Sequence, residues 1–138
     1  DKLTTKFQQA LSDAQSIANG GDNQFIEPQH LLLAMLNQDD GAVSSLLSRA
    51  GAQVPRLKAE LGRAVDGMPK VQGHGGDVQV SRALSQLLNL TDREAQKRGD
   101  EFIASEMFLL AAVDDKGEVG RALKEAGVTR KALEAVKA

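Results

Sequence analysis

One stretch of this chain occurs twice, and that repetition limits what the chain can fold into. Residues 23–36 read NQFIEPQHLLLAML and residues 100–113 read DEFIASEMFLLAAV, with Phe-Ile and Leu-Leu-Ala in register. Phe25 and Phe102 set the offset at 102 − 25 = 77 residues. Further on, Val119, Leu123 and Ala126 stand where Val43, Leu47 and Ala50 stood, now at an offset of 76, so the later copy has lost one residue between its second and third helices. Leu133 matches Leu57 in the same way. A solenoid needs about three or more repeats to bury its faces, so two copies predict a closed pair sharing one core.

Helical spacing runs through both copies. Phe7, Ala10, Leu11, Ala14, Ile17 and Ala18 predict a first helix over roughly Thr5 to Asn19, capped by Thr4 or Thr5 and ended by Gly20-Gly21. If Thr5 is the cap, Gln8 completes a capping box. Pro28 opens a short, mostly buried helix from Gln29 to Asn37. Val43, Leu46 and Leu47 make a third helix, and Leu57, Leu61 and Val65 a fourth beginning near Pro55. The pattern disappears in a Gly-rich linker over 67–80. Ser81 then caps a fifth helix, and the second copy of the motif supplies a sixth from Ser105. The expected fold is all-α: an eight-helix bundle made from two four-helix units, 1–66 and 81–138, in a single domain.

Composition excludes several functions. A formal charge of −2 with no Trp or Tyr leaves neither a basic stripe for phosphates nor an aromatic platform for bases, so nucleic acid is not the expected partner. The absence of Cys removes disulfides and thiolate metal sites and fits a reducing, cytoplasmic setting. No apolar run approaches the roughly 20 residues a membrane helix needs, and no signal-peptide pattern opens the chain. It starts at Asp1 without Met and stops at Ala138 inside a helical pattern, which reads as a piece of something larger.

The chain offers no expected chemistry of its own. No Gly-x-x-x-x-Gly-Lys-Ser/Thr pattern occurs, and Gly73-His74-Gly75-Gly76 lacks the lysine and following helix of a phosphate cradle. His30 and His74 are the only histidines and have no ligand spacing, so no metal is expected. His30 reads as a packed core or capping residue. No Gly-x-Ser-x-Gly elbow occurs. Asp39-Asp40 and Asp114-Asp115 stand in equivalent turns before glycines, where turn chemistry accounts for them.

The two copies differ informatively. With matching geometry, Leu87, Leu90 and Met107 take the places of Ala10, Asp13 and His30. Leu84, Leu88, Thr91 and Ala95 already form a core stripe, which puts Leu87 and Leu90 on a second face that the bundle need not bury. An apolar face left over once the core is filled is a candidate protein-binding groove, unless the linker covers it through Val71 or Val78.

The stretches FIEPQHLLLAML, GDEFIASEMFLLAAV, AQKRGD and GHGGDVQVS resemble the amino-terminal domain of the Clp ATPases over nearly the whole chain, most closely its disaggregase branch. The resemblance implies an eight-helix bundle of pseudo-two-fold symmetry, tethered above a hexameric ATPase and engaging unfolded or aggregated protein clients. ATP and Mg would belong to modules absent from this stretch, and a co-chaperone system would act through the full-length protein. By position, Thr4, Asp100 and Glu106 correspond to polar residues the family uses in chaperone function, which would set them at the rim of the groove. Physically, a carboxylate such as Glu106 just after the cap Ser105 is also stabilised by the helix dipole. A protease-linked branch reads phosphorylated arginine with a hydroxyl and a glutamate per repeat, which by motif would be Thr4 with Gln29 and Ser81 with Glu106. Gln29 supplies an amide where charge-assisted pairing needs a carboxylate. The alternative function is an adaptor-docking or regulatory module.

Overall fold

The computed structural model describes residues 2–71 and 78–137 of the chain. His74 and the Gly73–Gly76 run lie outside the described residues. The elements run α1 (Thr5–Gly20), β1 (Phe25–Ile26), α2 (Pro28–Leu36), α3 (Ala42–Arg49), α4 (Val54–Asp66), β2 (Gln79–Val80), α5 (Arg82–Lys97), α6 (Ser105–Val113), α7 (Glu118–Glu125) and α8 (Arg130–Lys137). Among the described residues the protein is therefore an all-α, eight-helix bundle with one two-stranded ladder, as the repeat predicts.

The two short helices of the repeated motif are its centre. In α6 every residue from Met107 to Val113 is buried, and in α2 all but Gln29 and Leu33 are. A helix apolar on all sides must be surrounded. α1 covers α2 with a stripe of Phe7, Ala10, Ala14 and Ala18, whose three alanines let the two backbones approach closely. The copies join through α2, which also touches α5 and α7, and through an edge-to-face pair of Phe7 and Phe108 with ring centroids 6.4 Å apart.

The copies also exchange their leading residues. β1 and β2 are parallel, with Phe25 opposite Gln79 and Ile26 opposite Val80. Leu3 bridges Ile103 in the same parallel sense, which is the equivalent pairing at the 77-residue offset. Thr4 N–H donates to the Ile103 carbonyl and Ser81 N–H to the Ile26 carbonyl, each at 3.0 Å. Each copy thus lends the residues before its first helix to the Phe-Ile segment of the other.

Two helix ends meet near the pseudo-two-fold axis. α3 and α7 both close with a residue of positive φ, Gly51 at 97° and Gly127 at 94°, where any side chain would be strained. Ala52 N–H donates to the Leu47 carbonyl and Val128 N–H to the Leu123 carbonyl, both at 2.9 Å, as in a Schellman closure. Gln53 N–H reaches the Ala126 carbonyl at 3.3 Å and ties one closure to the other.

The missing residue in the second copy has a steric consequence. In the first copy Ser44 donates its hydroxyl to the Leu36 carbonyl at 3.2 Å. Its counterpart is Gly120, where a Cβ would stand 1.7 Å from the Asp115 carbonyl oxygen. The shorter turn brings backbone where the first copy has room for a side chain.

Candidate functional site

Thr4 is the N-cap of α1, its Oγ1 accepting from Phe7 N–H at 3.2 Å, so the cap falls on Thr4 and not on Thr5. Gln8 makes no capping box; its side-chain amide donates to the Leu3 carbonyl at 2.9 Å. The bond from Thr4 N–H to Ile103 carries this cap across to the start of α6. There Ala104, with no side chain to donate or accept, holds the cap position, and Ser105 is the first helical residue instead of the cap. Its Oγ is buried without a hydrogen-bond partner among the described residues, a situation that costs about 1–3 kcal/mol. Glu106 follows in the first turn, where the dipole favours a carboxylate.

Thr4 and Glu106 thereby line one groove of about 580 Å³. Val43 and Leu46 of α3 and Val136 of α8 form its apolar floor, and Arg49 stands at the end of α3. Lys6 and Asp40 close one side as an ion pair at 3.1 Å. Asp40 also accepts from Ala42 N–H at 3.1 Å, and that bond, followed by the Lys6 contact, holds its carboxyl below the ordinary value. The side chains of Arg49 and Glu106 make no hydrogen bond or ion pair with any of the described residues.

The expected apolar face is built differently. Leu87 and Met107 are 2% and 1% exposed and belong to the core, so they line no surface groove. The buried stripe of α5 is Leu84, Leu87, Thr91 and Ala95, with Leu88 only half-buried, because α5 is turned so that Leu87 faces the centre of the bundle. Leu90 alone of the three is open, at 43%, and Phe102 is more exposed still at 55%. Val78 packs into the core and Val71 is half-buried. Asp100 is exposed after α5, its N–H donating to the Ala95 carbonyl at 3.0 Å, and it does not line the groove of Thr4 and Glu106.

The hydroxyl and carboxyl positions also pair across the copies instead of within them. Thr4 lies with Glu106; Ser81, which caps α5 by accepting from Leu84 N–H at 3.0 Å, is bonded to Ile26 at the entrance to α2, where Gln29 is the second helical residue. The expected pairs of Thr4 with Gln29 and Ser81 with Glu106 are therefore crossed, because the ladders exchange the leading residues.

A second groove of about 210 Å³ occupies the equivalent place in the other half, lined by Gln29, Glu60, Glu118, Arg121, Ala122 and Glu125 among others. Here Gln29 replaces Glu106, Ala122 replaces Leu46, Glu125 replaces Arg49 and Glu60 replaces Val136. Arg121 pairs with Glu118 at 3.4 Å. The pseudo-symmetry carries the groove over but not its chemistry.

His30 is fully buried and acts as both core and capping residue. Its Nδ1 accepts from Glu27 N–H at 2.8 Å, so the ring proton sits on Nε2 and is donated to Asn23 Oδ1 at 2.9 Å. The Asn23 amide passes the link to the Pro69 carbonyl at 3.4 Å. Burial lowers the His30 pKa, with Glu27 opposing, and both ring nitrogens are engaged in structure.

The architecture and the paired motifs agree with comparison to known proteins. The profile of the Clp repeat (R) N-terminal domain matches residues 2–126. The chain is 52% identical over 131 residues to the chaperone protein ClpB of Vibrio cholerae, covering 95% of this chain and 15% of that protein. Against the ClpB of Pseudomonas putida it is 48% identical over 134 residues, covering 97% of this chain and 16% of the relative. It thus spans about a sixth of the length of these relatives. Among solved structures, the Hsp104 N-terminal domain from Candida albicans superposes with a TM-score of 0.85 at 20% identity, covering 99% of this chain and 89% of the other. The N-terminal domain of the ClpV1 ATPase from E. coli gives 0.84 at 22% identity, covering 98% and 83%. On the repeat, the fold and these matches together, the chain belongs to the Clp repeat N-terminal domain family.

Proposed function

We propose that this domain is the client-recognition module of a ClpB-like protein disaggregase, reversibly capturing exposed apolar segments of unfolded or aggregated proteins. The observation that carries the reading is the groove in which an apolar floor of Val43, Leu46 and Val136 is bordered by Thr4 and Glu106. Exposed Leu90 and Phe102 supply further apolar surface outside it. Each ~100 Å² of apolar guest surface covered there contributes roughly 2.5 kcal/mol before the costs of association. Single engagements are then weak, and six such domains above one hexameric ATPase raise the local concentration of the client near its pore. The domain binds without catalysing; ATP and Mg serve the ATPase modules, and a co-chaperone acts through the full-length protein.

A second reading has its own support. A ClpV N-domain of the same fold has been solved in complex with a VipB peptide, covering 96% of this chain at 20% identity and a TM-score of 0.74. Adaptor docking would use the acidic outer faces, including Glu60, Glu118 and Glu125. NMR titration of this domain with an unfolded polypeptide separates the two. Client capture predicts shifts at Thr4, Val43, Leu46 and Glu106, while shifts confined to the charged faces would favour docking of a folded partner.

A further inference from the structure

The two copies treat the residues that lead into their buried helix differently. In the first, residues 22–26 take two partners: Val80 pairs with Ile26, and Lys70 bridges Asn23 in the antiparallel sense. Val71 N–H donates to the Asp22 carbonyl at 2.8 Å, Lys70 Nζ to the Gly21 carbonyl at 3.2 Å, and the Asn23 amide to the Pro69 carbonyl at 3.4 Å. Met68 and Pro69 share with Asn23, Phe25 and Gln29 the lining of a cavity of about 320 Å³. An extended segment of the chain itself therefore lies on this edge.

The second copy builds the same edge and leaves it open. At the offset of 77 residues, 99–103 correspond to 22–26. The backbone is alike: Asp22 and Gly99 have φ of 55° and 70°, and Asn23 N–H reaches the Ala18 carbonyl at 2.9 Å as Asp100 N–H reaches that of Ala95 at 3.0 Å. Leu3 supplies the partner of Ile103, but no described residue stands to Asp100 as Lys70 stands to Asn23. The Gly99 carbonyl accepts no hydrogen bond from the described residues, and where Asn23 is buried Asp100 is exposed, with Phe102 beside it at 55%. The charge differs as well. Asn23, Gln24 and Gln29 become Asp100, Glu101 and Glu106, whose side chains have no partner among the described residues. The cations just before the turn, Lys97 and Arg98, are already paired with Glu94 and Glu134.

We infer that residues 99–102 are a docking edge for an extended segment of a protein client that combines apolar residues with a basic one, seated there as residues 68–71 are seated on the first copy. The inference rests on the client-capture reading for the identity of the guest and adds to it a second point of attachment and a class of segment. Glu106, whose counterpart Gln29 lines the first-copy cavity, also lines the apolar groove and so borders both. An open strand edge pairs readily with another chain; main-chain hydrogen bonds give the affinity, and the flanking side chains give the preference. Here the flanking groups are the exposed Phe102 ring and three carboxylates, which favour apolar surface and positive charge together.

The test titrates a blocked hexapeptide containing Met-Pro-Lys-Val into the isotopically labelled domain, followed by NMR at low and moderate salt. The expected result is saturable shifts at residues 99–102. Replacing the peptide's lysine by glutamate should weaken binding about three- to tenfold, less at higher salt. Phe102→Ser should weaken it at least about fivefold, while Phe25→Ser, the same change on the occupied edge, should leave it within about twofold. As a further variant, Asp100→Asn with Glu101→Gln installs the first copy's residues at exposed positions and should lower affinity about two- to fivefold. Thermal melts check that each variant folds. Shifts at residues 22–25 instead, or an affinity indifferent to both Phe102→Ser and the peptide's charge, overturn the docking edge. So does the absence of shifts at 99–102 with both the peptide and an unfolded polypeptide; if the polypeptide still shifts Val43 and Leu46, client capture stands without the edge. An unfolded polypeptide that shifts neither place overturns both.

Discussion

The two grooves share a backbone frame and differ in most of the side chains that line them. One has Leu46 and Val136 in its floor with Arg49 and Glu106 free; the other has Ala122 and Glu60 in the floor positions, with Glu125 and Gln29 at the charged ones. The contrast recurs inside the bundle. In the first copy a buried His30 bonds through Asn23 to Pro69, whereas Met107 and exposed Asp100 stand in the second. In the second copy Glu94 and Arg130 form a largely buried ion pair, and their first-copy counterparts are Ile17 and Val54. Duplication supplied two equivalent frames; divergence of a few side chains left one of them with an apolar floor.

Substitutions that import one copy's residue into the other test how independent the halves have become. The largest effect is expected at Gly120. Ala there meets backbone at 1.7 Å and should cost about 3 kcal/mol or more, read as a shift of the urea midpoint. Ser44→Gly, the reciprocal change, should cost only about 1 kcal/mol. Equal costs would show that the shorter turn does not set the difference.

The ion pair comes next. Arg130 also contacts Asp114 at 2.9 Å and Glu134 at 3.5 Å, while Glu94 is left with only Lys97 at 3.8 Å once Arg130 is gone. Arg130→Val should therefore cost about 2–3 kcal/mol by stranding a buried carboxylate. Adding Glu94→Ile, so that the second copy carries the first copy's residues, should recover at least about 1 kcal/mol in a double-mutant cycle.

His30 gives a smaller, pH-dependent effect. Its folded pKa lies below the unfolded value of 6.5, so the unfolded chain binds the extra proton first. The contribution is complete above that value and is lost as pH falls through the folded pKa. His30→Met, the second copy's residue, should lower stability by about 1 kcal/mol at neutral pH through the lost hydrogen bonds. It should also flatten the decline of melting temperature as pH falls below about 6.5. An unchanged pH profile would remove His30 from that role. The smallest effect on stability is expected at Leu90→Gln, within about 0.5 kcal/mol for a residue 43% exposed, while affinity for an unfolded client falls. A large loss of stability would make Leu90 a packing residue.

Much of the fold was legible because its strongest signals are periodic. The repeat, the alanine stripe of α1, Pro28 and the paired glycines placed eight helices and their order. The orientation of α5 was not, since Leu84, Leu87, Leu88 and Thr91 satisfy helical spacing along either of two adjacent stripes. Only packing against α2 and α6 decides for Leu87. The exchanged ladders were invisible because two-residue strands have no period to read. With them went the pairing of Thr4 with Glu106. The repeat did hold a sign that Ser105 is not a cap: it aligns with Pro28, which already stood at a first helical position.

The exchange of leading residues also sets a schedule. Leu3 closes onto Ile103, a hundred residues further along the chain. At synthesis rates of about 5–20 residues per second, the first helix waits roughly 5–20 seconds for the segment that fixes its cap. Until residues 79–80 have been made the first copy has its own α1 and α2 but neither of the ladders that join it to the second, and until residue 103 it lacks the one that holds Leu3. A nascent chain paused within the linker should therefore present α1 with its N-terminal end untied, and protection of the Thr4 amide from hydrogen exchange should appear only after residue 103 has left the ribosome.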